Sequence, residues 1–151
     1  MSISPKETAY EVLEVVPLVM RTVRTQMRSS RSFNLSVPQF RTLGFVHRHP
    51  GTSLSDVAEH VGLTLPSMCK LIDGLVERKL IARRSHPSDR RRITLDLTSK
   101  GGALLQLARE STQESLAERL SVLHEDDRVA IVHAMQILHQ LFAHTDLKGQ
   151  S

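Results

Sequence analysis

Asp89-Arg90-Arg91-Arg92 lies between the turn-forming Pro87-Ser88 and the alternating stretch Ile93-Thr94-Leu95-Asp96-Leu97. Three adjacent guanidinium groups repel one another and bury no apolar area, so their use must lie in what they bind. At the tip of a hairpin an arginine is narrow and permanently charged, and it can reach into the minor groove of a duplex. Between Gly62 and Gly101 there are nine bases and four acids, a net +5, whereas the whole chain carries +4. The charge is thus gathered in one segment, as on a surface that neutralises phosphates. Taken alone, an arginine run also fits a solvated face with no partner.

Other chemistries find little to work with. The motifs G-x-S-x-G, H-E-x-x-H and G-x-x-x-x-G-K-[ST] are absent. Ser85, His86 and Asp89 are the residue types of a triad but crowd a single loop, so no enzyme is expected. The eight histidines are scattered, and His133, His139 and His144 lack the i, i+4 spacing of metal ligands, so no metal or cofactor is expected. Cys69 is the only cysteine, which excludes an intrachain disulfide framework and makes a reducing cytoplasm the default. It reads as a small, semi-buried apolar residue, with a redox role as the minor alternative. Lys6 precedes Glu7, Glu11 and Glu14 without a cleavage site, so no signal peptide is expected. The early apolar run Val15–Met20 falls far short of the ~20 residues that span a bilayer, so no membrane partner is expected. With no Trp, one Tyr and four Phe among 151 residues, the interior must be filled by Leu, Val, Ile and Met, which suits packed helices in one domain with an appended interface.

The elements that hold the basic segment can be read from period and punctuation. Residues 7–29 form a long helix with Tyr10, Leu13, Pro17, Met20 and Met27 on one side. Val12, Val15, Leu18 and Val19 carry the apolar surface nearly all round, and Pro17 should kink it. A polar link, Ser30 to Ser36, leads to a helix over 37–49 with Phe40, Leu43 and Val46 inward, closed by Pro50-Gly51. Ser53 to Asp56 has the form of a capping box, and Leu54, Val57, Ala58 and Val61 give a short amphipathic helix stopped at Gly62. Thr64 caps the next helix, Pro66 lies in its first turn, and Met68, Leu71, Ile72, Leu75 and Val76 form its buried face. Pro66, Ser67, Lys70 and Asp73 then lie outward, Asp73 either accepting from an arginine or simply solvated. This is a helix-turn-helix pattern. The period then becomes 2: Ile81–Arg84 and Ile93–Leu97 make a two-stranded hairpin whose loop is the arginine cluster. Helices over 102–120 and 125–145 follow, the last with Val129, Val132, Met135, Leu138, Leu141 and Phe142 spread widely. Both chain ends carry more apolar surface than a chain this short can cover, which points to a second subunit.

Asp89-Arg90-Arg91 followed by Leu95, Leu97-Thr98 and Lys100-Gly101 resembles the D-x-R…LT-x-x-G wing signature of the MarR family of transcriptional regulators. Leu54-Ser55-Asp56-Val57-Ala58, Gly62-Leu63-Thr64 and Leu71-Ile72-Asp73-Gly74-Leu75-Val76 resemble its helix-turn-helix. The resemblance implies a mainly α fold with a small β-hairpin wing. Residues 37–101 would be the winged helix-turn-helix, and 1–36 with 102–151 the dimerisation helices. It implies a homodimeric repressor on double-stranded DNA, reading a pseudo-palindrome with half-sites ~34 Å apart. The DNA-facing residues would be Ser53, Thr64, Pro66, Ser67, Lys70, Arg84, Asp89, Arg90, Arg91 and Arg92, with Ser67 and Lys70 in the major groove, Arg91 in the minor groove and Asp89 bracing the loop. A small aromatic or anionic effector is a further expected partner, with Met20, Arg24 and His47 as candidate contacts. Arg21, Arg24, Arg28 and Arg31 form a basic stripe that fits a carboxylate, a DNA backbone or plain solvation. Some members sense peroxide through a cysteine in the first helix; this chain has none there. The competing readings are a winged helix used for protein contact and a redox-responsive regulator acting through Cys69.

Overall fold

A computed structural model describes residues 2–29 and 33–143. The first helix, α1 (Pro5–Ser29), begins two residues before the apolar pattern does. The cause is a reciprocal cap: the Glu7 amide donates to Ser4 Oγ at 3.1 Å and the Ser4 amide donates to Glu7 Oε2 at 2.7 Å. Pro5 then occupies the first helical position, where no amide is needed. The helix runs through Pro17 as one element. Tyr10, Leu13, Val15, Val16, Leu18 and Val19 are exposed along it, whereas Met27 near its end is buried.

Phe33 and Leu35, in the segment read from sequence as a polar link, are both buried in the core. Single apolar residues between polar ones leave no periodic signal, so only the packed structure exposes them. α2 (Val37–Arg48) starts with a full capping box: Ser36 Oγ accepts from the Gln39 amide, and Gln39 Oε1 accepts from the Ser36 amide. Leu43 and Val46 point inward, and the Thr42 hydroxyl satisfies itself on the Pro38 carbonyl at 2.8 Å.

The sheet has three strands rather than the two of a bare hairpin. β1 (Thr52–Ser53) adds to β2 (Ile81–Ser85) and β3 (Ile93–Leu97) in the order β1-β3-β2, antiparallel throughout. Thr52 faces Leu95 and Ser53 faces Thr94. Two residues are too few to show a strand period. The Gly51 amide completes the junction by donating to the Leu95 carbonyl at 3.0 Å and to Asp96 Oδ1 at 2.9 Å.

α3 (Leu54–Val61) and α4 (Leu65–Glu77) make the helix-turn-helix. Gly62 ends α3 with φ +80°, a left-handed conformation that suits glycine. The Arg41 guanidinium covers two of the freed carbonyls, those of His60 and Val61. α5 (Ser99–Leu120) begins three residues earlier than the apolar pattern, because the Thr98 hydroxyl accepts from the Gly101 amide at 2.9 Å. α6 (Glu125–Ala143) carries Glu125, Asp126 and Asp127 in its first turn, where the helix dipole favours acids. Thr145, the expected end of this helix, lies outside the described residues, as do His144, Ser30 and Arg31.

The chain divides into two compact units between Thr112 and Gln113. The first holds the hydrophobic core, in which Leu43, Val57, Met68, Leu75 and Leu95 are fully buried. Each such side chain contributes about 1.5–3 kcal/mol relative to leaving it in water. Gly101, Leu105, Ala108 and Thr112 of α5 are buried in the same unit. In the second unit α6 has no buried residue, and Val129, Val132, Met135, Leu141 and Phe142 are all exposed. Among the described residues, no helix is long and apolar enough to cross a membrane.

Candidate nucleic-acid interface

The core sets the orientation of α4. Met68, Ile72 and Leu75 are buried, so the opposite face must point out. Pro66, Lys70 and Asp73 lie on that face and Ser67 and Cys69 on its two flanks, while Leu65, one turn before Met68, is exposed at the helix start. Cys69 is therefore a surface residue and not the semi-buried one expected. It lies about 100° round the helix from Met68, on the line that joins Leu65 to Asp73. At the start of α4 the Thr64 hydroxyl accepts from the Ser67 amide at 3.3 Å and donates to Ser67 Oγ at 3.0 Å. No acid stands in the first turn, so the partial positive charge of the helix N-terminus is left unneutralised.

The wing tip is a tight double turn. The His86 amide donates to the Arg92 carbonyl at 2.8 Å, closing the loop. Inside it the Asp89 amide donates to the His86 carbonyl and the Arg92 amide to the Asp89 carbonyl. Asp89 Oδ1 accepts from the Arg91 amide at 3.0 Å, so this carboxylate holds the backbone that presents Arg91. His86 Nδ1 accepts from the Ser88 amide at 3.2 Å and stiffens the approach to the tip. Arg90, Arg91 and Arg92 are exposed, and no side-chain bond ties them to the described residues.

Three of the nine bases in the segment have structural employment. Arg83 Nη1 meets Asp73 Oδ1 at 2.6 Å and links β2 to the outer face of α4. With the two side chains 42% and 60% exposed, the pair serves geometry more than stability. Arg78 donates to the Phe33 and Asn34 carbonyls at 2.9 and 3.0 Å, and Lys100 donates to the Arg78 carbonyl at 3.2 Å. α4 ends in a Schellman arrangement: the Leu80 amide bonds the Leu75 carbonyl and the Lys79 amide bonds the Val76 carbonyl, with Lys79 at φ +62° where glycine is usual. The Thr98 hydroxyl then donates toward the Lys79 carbonyl at 2.7 Å and the Leu80 carbonyl at 3.1 Å. What remains for a partner is Lys70 on α4, Lys79 just past its end, Arg84 on β2, and the three arginines at the tip.

Of the other expected contacts, Ser53 is the cap of α3, its hydroxyl accepting from the Asp56 amide at 3.1 Å. Met20 is half-buried on α1, and Arg24 and His47 are exposed. A separate, open cleft in the first unit is lined by Arg28, Asn34, Leu35, Ser36, Gln39 and Arg78. Among the described residues no cluster of His, Cys, Asp and Glu is disposed to hold a metal ion.

Residues 33–92 match the model of the MarR family. The HTH-type transcriptional repressor MdtR of Bacillus subtilis is 26% identical over 136 residues, spanning 90% of this chain and 87% of that protein. The crystal structure of MarR superposes with a TM-score of 0.78 at 20% identity, covering 88% of this chain and 98% of that one, a likeness of fold. The structure of the transcriptional repressor CouR bound to a 23-mer DNA duplex superposes with a TM-score of 0.70 at 25% identity, covering 91% and 99%. The matched segment contains α4, strands β1 and β2 and the wing tip with its Asp89 brace, and over that segment the chain is similar to the MarR family.

Proposed function

We propose that the chain is a homodimeric, sequence-specific DNA-binding repressor. The observation that carries this reading is the wing: three exposed guanidinium groups without internal partners, on a loop braced by Asp89, next to an α4 whose outer face is open to solvent. α4 would enter the major groove with Ser67 and Lys70 toward base edges, and Thr64, Pro66 and Ser53 near the backbone. Arg91 would enter the minor groove, with Arg84, Arg90 and Arg92 on phosphates. The exposed apolar faces of α1 and α6 are the surfaces that a second copy would cover, so residues 1–36 and 102–151 serve dimerisation and 37–101 serve reading. Two copies related by a twofold axis read half-sites ~34 Å apart and occlude the adjacent transcription start. The naming of MdtR and CouR as repressors, and the duplex in the CouR structure, support the same direction. A small-molecule effector that releases the dimer, met by Met20, Arg24 and His47, completes the proposal, in the setting of a bacterial cytoplasm.

The test is fluorescence anisotropy with a duplex from the DNA upstream of the protein's own gene and a scrambled duplex of equal length, at one salt concentration. Specific recognition gives at least ~10³-fold tighter binding to the cognate duplex. Equal binding would overturn the reading and leave the winged helix as a protein-contact module.

A further inference from the structure

The exposed surface of α4 is not uniformly polar. Leu65, at its first position, keeps 49% of its surface exposed, and Cys69 is exposed one turn further on with Pro66 beside them. This small apolar strip is set within the most basic part of the chain, with Lys70 next to it and the arginine tip on the neighbouring wing. We infer that Leu65 and Cys69 read thymine, through apolar contact with the C5-methyl groups exposed in the major groove of each half-site. The inference rests on the reading of α4 as the recognition helix and adds its base preference.

The chemistry favours one base. In the major groove the edges of guanine, adenine and cytosine present acceptors and donors, and a leucine pressed on any of them strands a polar group out of water. Thymine alone presents a methyl, which a leucine or a thiol-bearing side chain covers with mutual loss of apolar surface. The position is apt as well, because the residues nearest the N-terminus of a recognition helix approach the base edges. Leu65 and Cys69 are four residues apart, about 6 Å along the helix, which matches about two base-pair steps of ~3.4 Å each. Lys70, beside Cys69, and Ser67, on the other flank of the helix, supply the charge and the hydrogen bonds that hold the helix in register while the strip selects the methyls.

The experiment begins with selection of a duplex from a random pool by the wild-type protein. The selected duplex is then made with deoxyuridine in place of individual thymidines, which removes the methyl and leaves base pairing intact. Affinities are measured for wild type, Leu65→Ala, Leu65→Met and Cys69→Ser, with circular dichroism to check folding. Wild type should lose about fourfold for each contacted methyl removed. Leu65→Ala should abolish the loss at one position, Leu65→Met should keep it, and Cys69→Ser should reduce it at a second position. If a duplex is selected but uracil costs nothing, or costs the wild type and both loss-of-contact variants equally, the methyl reading falls and the repressor reading stands. If no sequence is enriched over random duplex, the repressor reading itself falls.

Discussion

Replacing Gly101 by alanine would place a Cβ 2.1 Å from the Leu80 carbonyl oxygen, and 3.0 Å from both the carbon of that carbonyl and Leu97 Cδ1. The oxygen belongs to backbone and already accepts from the Thr98 amide at 3.1 Å and the Thr98 hydroxyl at 3.1 Å, so it has no freedom to swing away. A carbon–oxygen contact settles near 3.3 Å, so the start of α5 and the Leu80 backbone leading into β2 must part by about 1 Å. Overpacking of this kind costs about 1–3 kcal/mol. One strained or lost hydrogen bond adds about 1 kcal/mol. The better helix propensity of alanine returns about 0.8–1.0 kcal/mol. The net destabilisation is about 2 kcal/mol, which for a chain of this size lowers the thermal midpoint by about 4–8 °C. Gly102 is the control. A Cβ there meets only Leu97 Cδ2 at 3.9 Å, an ordinary contact, so Gly102→Ala keeps the propensity gain and stabilises by up to about 1 kcal/mol. Thermal and urea unfolding followed by circular dichroism, at one protein concentration so that self-association is held constant, separates the two. The reasoning is refuted if Gly101→Ala melts at or above wild type, or if the two neighbouring variants melt alike.

Arg91→Ala should weaken operator binding and, if the side chain meets phosphate, shallow the logarithmic salt dependence by about 0.9; a loss that follows A·T content at the half-site edge would place it in the minor groove instead. The Glu7 carboxyl is held below its ordinary range, chiefly by the Ser4 amide and then by the Ser4 hydroxyl. A carboxyl with a depressed folded value supports structure above its unfolded value and loses that support as pH falls through the folded one. Protection of the amides in the first turn of α1, taken relative to their intrinsic exchange, should therefore fall as pH drops below the ordinary glutamate value of about 4.3, and Glu7→Gln should flatten the response; an unchanged profile in the variant would contradict the cap. Arg83→Ala should cost less than about 1 kcal/mol of stability, a difference erased near 1 M salt. A larger or salt-independent loss in urea unfolding would show that the Arg83–Asp73 link does more than orient the wing.

The parts of the fold that were readable in advance are those with dense local signals. α3 and α4 combine a clean apolar period with a cap at Ser53, a stop at Gly62 and a second cap at Thr64, and these agree with one another. The parts that escaped depend on partners far along the chain. β1 exists because Thr52 and Ser53 meet Leu95 and Thr94, some forty residues away, and Phe33 and Leu35 are core residues without a period around them. The charge of the basic segment was visible, but not its division of labour. Only the geometry separates Arg78, Arg83 and Lys100, which hold carbonyls and a carboxylate, from the bases left for a partner. Likewise the exposure of Cys69 escaped, because a lone cysteine beside a buried helical face reads as semi-buried.

Ser53 belongs to two elements at once, as the last residue of β1 and as the cap of α3. A two-residue strand has almost no ability to choose its own alignment against β3. A slip by one residue, however, would carry Ser53 away from the Asp56 amide, and it would pull Gly51 off the Leu95 carbonyl and the Asp96 carboxylate. Strand alignment and helix initiation are thus a single decision, each proofreading the other. The junction should form in one step, with no half-registered species in which the sheet edge is misplaced and the helix is already wound.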